Sequence, residues 1–306
     1  MRVFLVGNSV SSSSIVLRTA DIYFAGSHGG VILPTGIPPR KGQIVVSLLA
    51  IDIGNTNIHL GLWRDNAWQL SWRARTVADK MADEYGVLVR NFLNSAGVRF
   101  DEIRGVVIAT VVPALTLAFH ELVVRYLNLE PLFVNSRVEL GVRVDIDLPE
   151  QAGADRLANA AAVVALHGGG PAIVVDFGTA TNFDVVTHDN RYIGGALAPG
   201  IGVAADALVS RAAKLHKVEL QPPPDPIGRN TMHAMQSGIF WGYVGLIDGL
   251  IVRIRQSLGA PDAQVIATGG LAPVIAQHTS SFSVIAPELT LDGLRVIYEL
   301  NRRNNG

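Results

Sequence analysis

Residues 48–63 read LLAIDIGNTNIHLGLW, and residues 172–186 read AIVVDFGTATNFDVV. Each is an apolar strand ending in Asp-x-Gly-[Asn/Thr]-x-[Thr/Asn], followed at once by a second apolar run. Asp176 follows Asp52 by 124 residues, so the two stretches read as copies of one unit. The unit makes physical sense as an anion cradle. Gly54 and Gly178 permit tight backbone turns, letting successive N–H groups converge on phosphate oxygens. Asn55, Thr56 and Thr179 add side-chain donors, and Asp52 and Asp176 can hold a cation beside the phosphates. Either stretch taken alone also reads as an ordinary hairpin capped by polar residues.

The surrounding chain is globular in composition. It has 306 residues, enough for two domains, with 49% hydrophobic and 17% charged residues. The formal charge of −1, with no long basic run, gives nucleic acid or an anionic membrane nothing to bind. The absence of cysteine excludes disulfides and thiolate metal sites. It also fits a reducing compartment, and a cytoplasmic location is expected. No uninterrupted apolar run reaches the ~18 residues of a membrane span.

Residues 1–47 contain a serine run and the proline-rich stretch PTGIPPRKGQ, without sustained periodicity. They read as a flexible arm or as sequence upstream of a start codon called too early. From Leu48 the pattern is regular. Strands at about 48–53, 58–63 and 68–75 form a meander turning at Arg64-Asp65-Asn66. A helix over 79–96 follows, with Asp79 as N-cap, then strand 104–112, helix 114–128 and strand 131–135. The second half repeats the order: strands at 171–177, 182–187 and 191–197, a helix over 200–215 and a long helix. Strand 263–270, helix 271–278, strand 281–287 and a last helix over 291–303 complete it. Two βββαβαβ units with matching turns predict a duplicated α/β fold with a nucleotide cleft between domains 48–168 and 169–306. A Rossmann fold is disfavoured because both glycine turns lead from strand to strand, not into a helix.

Seven short motifs carry a family resemblance: DIGNTN (52–57), VVP (111–113), GADR (153–156), DFGTATN (176–182), GGALAPG (194–200), IGRNT (227–231) and TGG (268–270). In this order and spacing the chain resembles the type III pantothenate kinases, members of the actin-like (ribonuclease H-like), sugar-kinase-like and Hsp70-like ATPase superfamily. The resemblance runs from Leu48 to the C-terminal helix. It implies transfer of the γ-phosphoryl group of ATP to the primary hydroxyl of pantothenate, giving 4'-phosphopantothenate in the first step of coenzyme A biosynthesis.

The same resemblance implies site roles. ATP would contact Asp52, Ile53, Gly54, Asn55, Thr56, Asn57, Ile58, His59 and Thr179, with Asp52 near Mg²⁺, through water. Pantothenate would contact Gly153, Ala154, Asp155, Arg156 and Thr231, with Asp155 as general base. Asp176 would bind a monovalent cation, K⁺ or NH₄⁺. Gly269 and Gly270 resemble adenosine-side glycines, and a homodimer is implied, with the 231 helix at its interface.

The residues themselves leave alternatives open. His59 reads first as a strand residue rather than a phosphate contact. Asp155 can cap its helix while Arg156 pairs with a neighbouring carboxylate. Asp176 can contact a second Mg²⁺, Thr231 can be a first-turn helix residue, and the glycines of 194–200 can serve packing. At the level of function, the rival is a catalytically silent nucleotide-binding accessory factor affecting transcription. Sugar kinase, acyl-phosphate kinase and phosphatase readings of the same fold fit GADR followed by IGRNT less well.

Overall fold

The computed structural model describes residues 47–212 and 215–304. The arm expected over 1–47 lies outside them, apart from Ser47. Strands β1 (Ser47–Ile53), β2 (Asn57–Arg64) and β3 (Ala67–Arg75) form the expected antiparallel meander. Asp65 and Asn66 both take positive φ (53° and 59°), the backbone that a two-residue hairpin turn requires. Helix α1 (Ala82–Ser95) leads to β4 (Ile103–Thr110), then α2 (Pro113–Leu122) and β5 (Leu132–Phe133), with β4 parallel to both β1 and β5. The sheet order is β3-β2-β1-β4-β5.

A short strand β6 (Arg143–Val144) and helix α3 (Ala154–Leu166) precede the second set: β7 (Ala172–Phe177), β8 (Ala180–Val186), β9 (Arg191–Pro199), α4 (Ile201–Arg211) and α5 (Thr231–Leu258). They are followed by β10 (Gln264–Gly269), α6 (Ala272–Ile275), β11 (Val284–Ile285) and α7 (Leu289–Asn304). The second sheet runs β11-β10-β7-β8-β9-β6. Its first five strands repeat the permutation of the first sheet, so the duplication read from two turns extends to whole sheets.

Local boundaries differ from expectation for local reasons. Asp79 is not the N-cap of α1. That position is Met81, whose N–H donates to Glu84 Oε2 (2.9 Å). Helix α2 ends at Leu122 and widens into a π turn, Val123–Leu127, stopped by Asn128 at φ 53°. The strands expected over 131–135 and 281–287 pair over two residues each, and β6 is too short to leave a periodic signal.

Alternation along the central strands sorts their side chains into cores. Leu49, Ile51 and Ile53 face α1 and α2, whereas Leu48 and Ala50 face the interior layer with α3 and α7. In the second sheet Ile173 and Val175 face α5, and Ala172 and Val174 face the same interior layer. The layer sequence is therefore α1/α2, sheet, α3/α7, sheet, α5. Helix α7, last in the chain, packs on α3 and on the first sheet.

The α3–α7 crossing is close enough to be set by backbone. A Cβ added at Gly293 would lie 1.8 Å from the Ala158 carbonyl oxygen. Gly293→Ala should therefore destabilise the protein by about 3 kcal/mol, at the upper end for overpacking. A denaturant midpoint within error of the parent would refute that backbone contact.

Helix α5 is, among the described residues, the one helix long and apolar enough to cross a membrane by length and composition. Part of that apolar content is core: Phe240, Tyr243, Val244, Ile247 and Ile251 pack under the second sheet.

Candidate functional site

Both glycine turns stand at the C-terminal ends of central strands, where open α/β sheets present ligand sites. Asp52 continues the inward face of Leu48 and Ala50, and Asp176 that of Ala172 and Val174. Both carboxylates, each half-buried, thus emerge at the end of the interior layer. The turns meet directly, with Thr56 Oγ1 and Thr179 Oγ1 2.7 Å apart. Thr76 Oγ1 donates to the Gly54 carbonyl (2.6 Å) and Thr76 N–H to that of Thr56 (2.9 Å), anchoring the first turn. Thr181 Oγ1 hydrogen-bonds Tyr243 OH, anchoring the second on α5.

The copies are not equal in length. Four residues separate the paired Ile53 and Ile58, but three separate Phe177 and Thr181. Gly54 N–H accordingly closes on Asn57 O, and Gly178 N–H on Ala180 O. Asn55, Thr56 and Asn57 are exposed at the tip. Ile53 and Ile58 are buried on the opposite face, leaving only their backbone for a ligand. His59 is a strand residue with Nε2 3.2 Å from Glu288 Oε2; its pKa is lowered to about 3 by burial and by the Arg73 charge. It is neutral at pH 7.

The GADR segment forms the start of α3. Gly153 is the N-cap, and a Cβ there would meet Asp155 Oδ1 at 2.5 Å, so glycine leaves room for the carboxylate. Ala154 is buried in the interior core. Asp155 is not the N-cap; its Oδ1 accepts the Arg156 N–H (2.9 Å). Arg156 does pair with a carboxylate: Nε donates to buried Asp184 Oδ1 (2.6 Å), and its guanidinium lies over Tyr192. One turn on from Asp155, Asn159 Nδ2 donates to Asp176 Oδ2 (3.1 Å), while Thr290 Oγ1 donates to Asn159 Oδ1 (2.9 Å). Thr290 thereby sets which way the amide points.

Burial first, and then repulsion from neighbouring carboxylates, governs the charges. Asp52 is held well above the usual carboxylate range by burial and then by Asp155 and Asp176, with Arg73 opposing. Asp176 is raised to about 7 by burial and Asp155, against the hydrogen bond from Asn159. Burial also raises Asp155. Asp184 is raised to about 6 by burial, with Arg156 opposing. Such a concentration of raised carboxylates at the end of two sheets marks a site shaped for cations or proton transfer.

Thr231 lies elsewhere. It is the first residue of α5, whose N-cap Asn230 accepts the His233 N–H (2.8 Å). It lines an apolar groove of about 550 Å³ between α4 and α5, with Pro199, Leu208, Met235 and Ile239. The groove begins beside the second turn, since Gly200 N–H donates to Thr179 O (3.1 Å). Gly195 and Gly200 serve packing here: a Cβ on Gly195 would strike Phe183 O, and one on Gly200 would strike Thr179 O. Gly269 packs on the Phe177 backbone, whereas Gly270 faces Arg73.

Sequence reading passed over Arg73, Asn159, Glu288 and Thr290. Asn159 lies four residues beyond Asp155, one helical turn away, a spacing that could have flagged it. The others gain their place only through sheet register or through α7.

The model of the type III pantothenate kinase family matches residues 48–253. A type III pantothenate kinase of Roseiflexus sp. (strain RS-1) is 51% identical over 83% of this chain and 99% of its own length. That of Moorella thermoacetica (strain ATCC 39073 / JCM 9320) is 47% identical over 83% and 99%. Among solved structures, a Baf family protein from Campylobacter jejuni matches at TM-score 0.52 and 20% identity, covering 83% of this chain and 99% of its own. The ethanolamine utilization protein EutJ from Carboxydothermus hydrogenoformans matches at 0.51 and 16%, covering 87% and 92%. At these identities the likeness is one of fold, the actin-like ATPase arrangement of two mixed sheets. The seven motifs, the duplicated sheets and the family match over 48–253 together place the chain in the type III pantothenate kinase family, whose ATP-dependent phosphorylation of pantothenate is the first step of coenzyme A biosynthesis.

Proposed function

We propose that the triphosphate of ATP lies across the two glycine turns and that the pantothenate hydroxyl is presented to Asp155. The observation that carries this reading is the Thr56–Thr179 contact, which brings both turns to one place, where the Asp155 charge raises the pKa of both Asp52 and Asp176. Exposed N–H and hydroxyl groups of Asn55, Thr56 and Asn57 contact phosphate from one side and Thr179 from the other. Asp155 orients the primary hydroxyl and takes its proton as the oxygen attacks the γ-phosphorus. Arg156, committed to Asp184, holds the shape of the substrate loop, and a carboxylate of pantothenate can use its remaining donors.

The residues fit cations. Among the described residues no three His, Asp or Glu side chains form a ready-made metal cage, which suits an ion bound largely by phosphate and water. Asp52 would hold Mg²⁺ through water. Asp176 would hold K⁺ or NH₄⁺, and directly across the ladder Asn182 Oδ1 is buried without a partner, a second oxygen for such an ion. When bound, these ions neutralise charge on the phosphates.

A second copy of the chain is the proposed cover for the apolar α4–α5 groove, to which Leu208, itself exposed, contributes. Thr231 would then meet pantothenate at that interface.

The test is ADP release with ATP, Mg²⁺ and pantothenate in K⁺ and again in Na⁺. Pantothenate-dependent turnover that requires K⁺ is expected. Turnover indifferent to K⁺ would remove the cation role of Asp176, and no turnover from folded, ATP-binding protein would favour a silent nucleotide-binding role.

A further inference from the structure

We infer that Arg73 is a phosphate-binding catalytic residue, a guanidinium carried on β3 that meets the β- and γ-phosphates of ATP. The inference rests on the placement of ATP proposed above.

Its position follows from register. Asp52 pairs with His59, and His59 pairs with Arg73, so the three stand abreast on one face of β1, β2 and β3. Strands are about 4.8 Å apart, so the Arg73 backbone sits about 10 Å from that of Asp52. An arginine side chain covers most of that span. Its Nη1 lies 3.4 Å from the point where a side chain on Gly270 would begin. Arg73 therefore reaches from the first sheet to the loop that ends β10.

Its charge has no fixed partner. Asp52, His59, Asp176 and Glu288 all feel it. Yet among the described residues no carboxylate lies within ion-pair distance of it, and it is exposed. Arg75, opposite Asn57 at the tip of the first turn, shares that face and is exposed, whereas Arg73 stands in line with Asp52; elsewhere near the site cations are absent or spent. Segments 52–59 and 176–182 contain no Lys or Arg, and Arg156 is held by Asp184. A polyphosphate entering beside Asp52, Asp155 and Asp176 meets like charge and needs a fixed countercharge as well as metal. A guanidinium offers forked donors matched to phosphate oxygens and cannot lose its charge at neutral pH. Placed at the γ-phosphate, it would stabilise charge that grows on the equatorial oxygens during transfer.

The experiment measures affinity for adenosine, AMP, ADP and a non-hydrolysable ATP analogue with Mg²⁺, alongside kcat, for the full-length parent, Arg73→Gln and Arg73→Lys. Arg73→Gln should weaken the ATP analogue tenfold or more, leave adenosine unchanged, and lower kcat about 10²-fold; Arg73→Lys should recover part of both. Equal weakening of adenosine and the ATP analogue would assign Arg73 to structure and overturn the inference, as would no change in either. Should Arg73→Gln fail to fold, the same comparison on Arg73→Lys decides. Because binding is read without turnover, these outcomes are separate from failure of the parent to phosphorylate pantothenate.

Discussion

Asp155→Asn retains the fold and ATP binding and lowers kcat by about 10²-fold or more. The amide is isosteric and its oxygen still accepts the Arg156 N–H, so the first turn of α3 is undisturbed. What it cannot do is accept a proton from the substrate hydroxyl. The loss should fall on kcat, with the KM for ATP nearly unchanged, because the phosphates are held by the two turns. In the parent, burial raises the Asp155 pKa, and the base works only when ionised. The acid limb of the rate profile should therefore lie above the ordinary aspartate range, with activity falling as pH drops through it. Steady-state kinetics with an ATP-binding titration checks both points, and near-parental turnover would remove Asp155 as the base.

Asp176→Asn should abolish activation by K⁺ and, in the ligand-free protein, raise thermal stability at pH 8. The sign follows from the pKa of about 7, well above the ~3.9 of an unfolded aspartate. Between those values the folded protein binds a proton that the unfolded chain does not. This contribution to stability is complete below about pH 4 and is lost as pH rises through about 7. Asparagine carries no charge to bury and relieves the repulsion on Asp52, so the variant should lack that slope. Melting temperatures at pH 5 and pH 8, without ATP or K⁺, test this. An identical pH dependence in parent and variant would mean that Asp176 does not carry the buried charge. Cation binding requires the ionised carboxylate, so the K⁺ needed for half-activation should rise as pH falls below about 7. The trade of stability for a strained, charged site is a familiar property of catalytic groups.

Much of this protein was legible along the chain. The strand–glycine–strand units, their repetition and the order of elements along the chain depend on local periodicity and turn chemistry. The two aspartates were locatable for the same reason, and GADR through the family resemblance. Element ends were less legible. Met81 in place of Asp79, and two-residue ladders at β5 and β11, reflect pairing and capping partners that periodicity does not encode.

The amino-acid sequence alone determined the duplicated α/β class and the residues of the two turns, because short-range backbone preference and apolar alternation act within a few residues. Tertiary structure alone decided what the turns face. Thr56 reaches Thr179, Thr290 reaches Asn159, and Arg73 reaches the Gly270 loop, contacts made across more than 100 residues. Each depends on sheet register and on α7 returning between the sheets, where close packing admits one arrangement and no local signal names the partner.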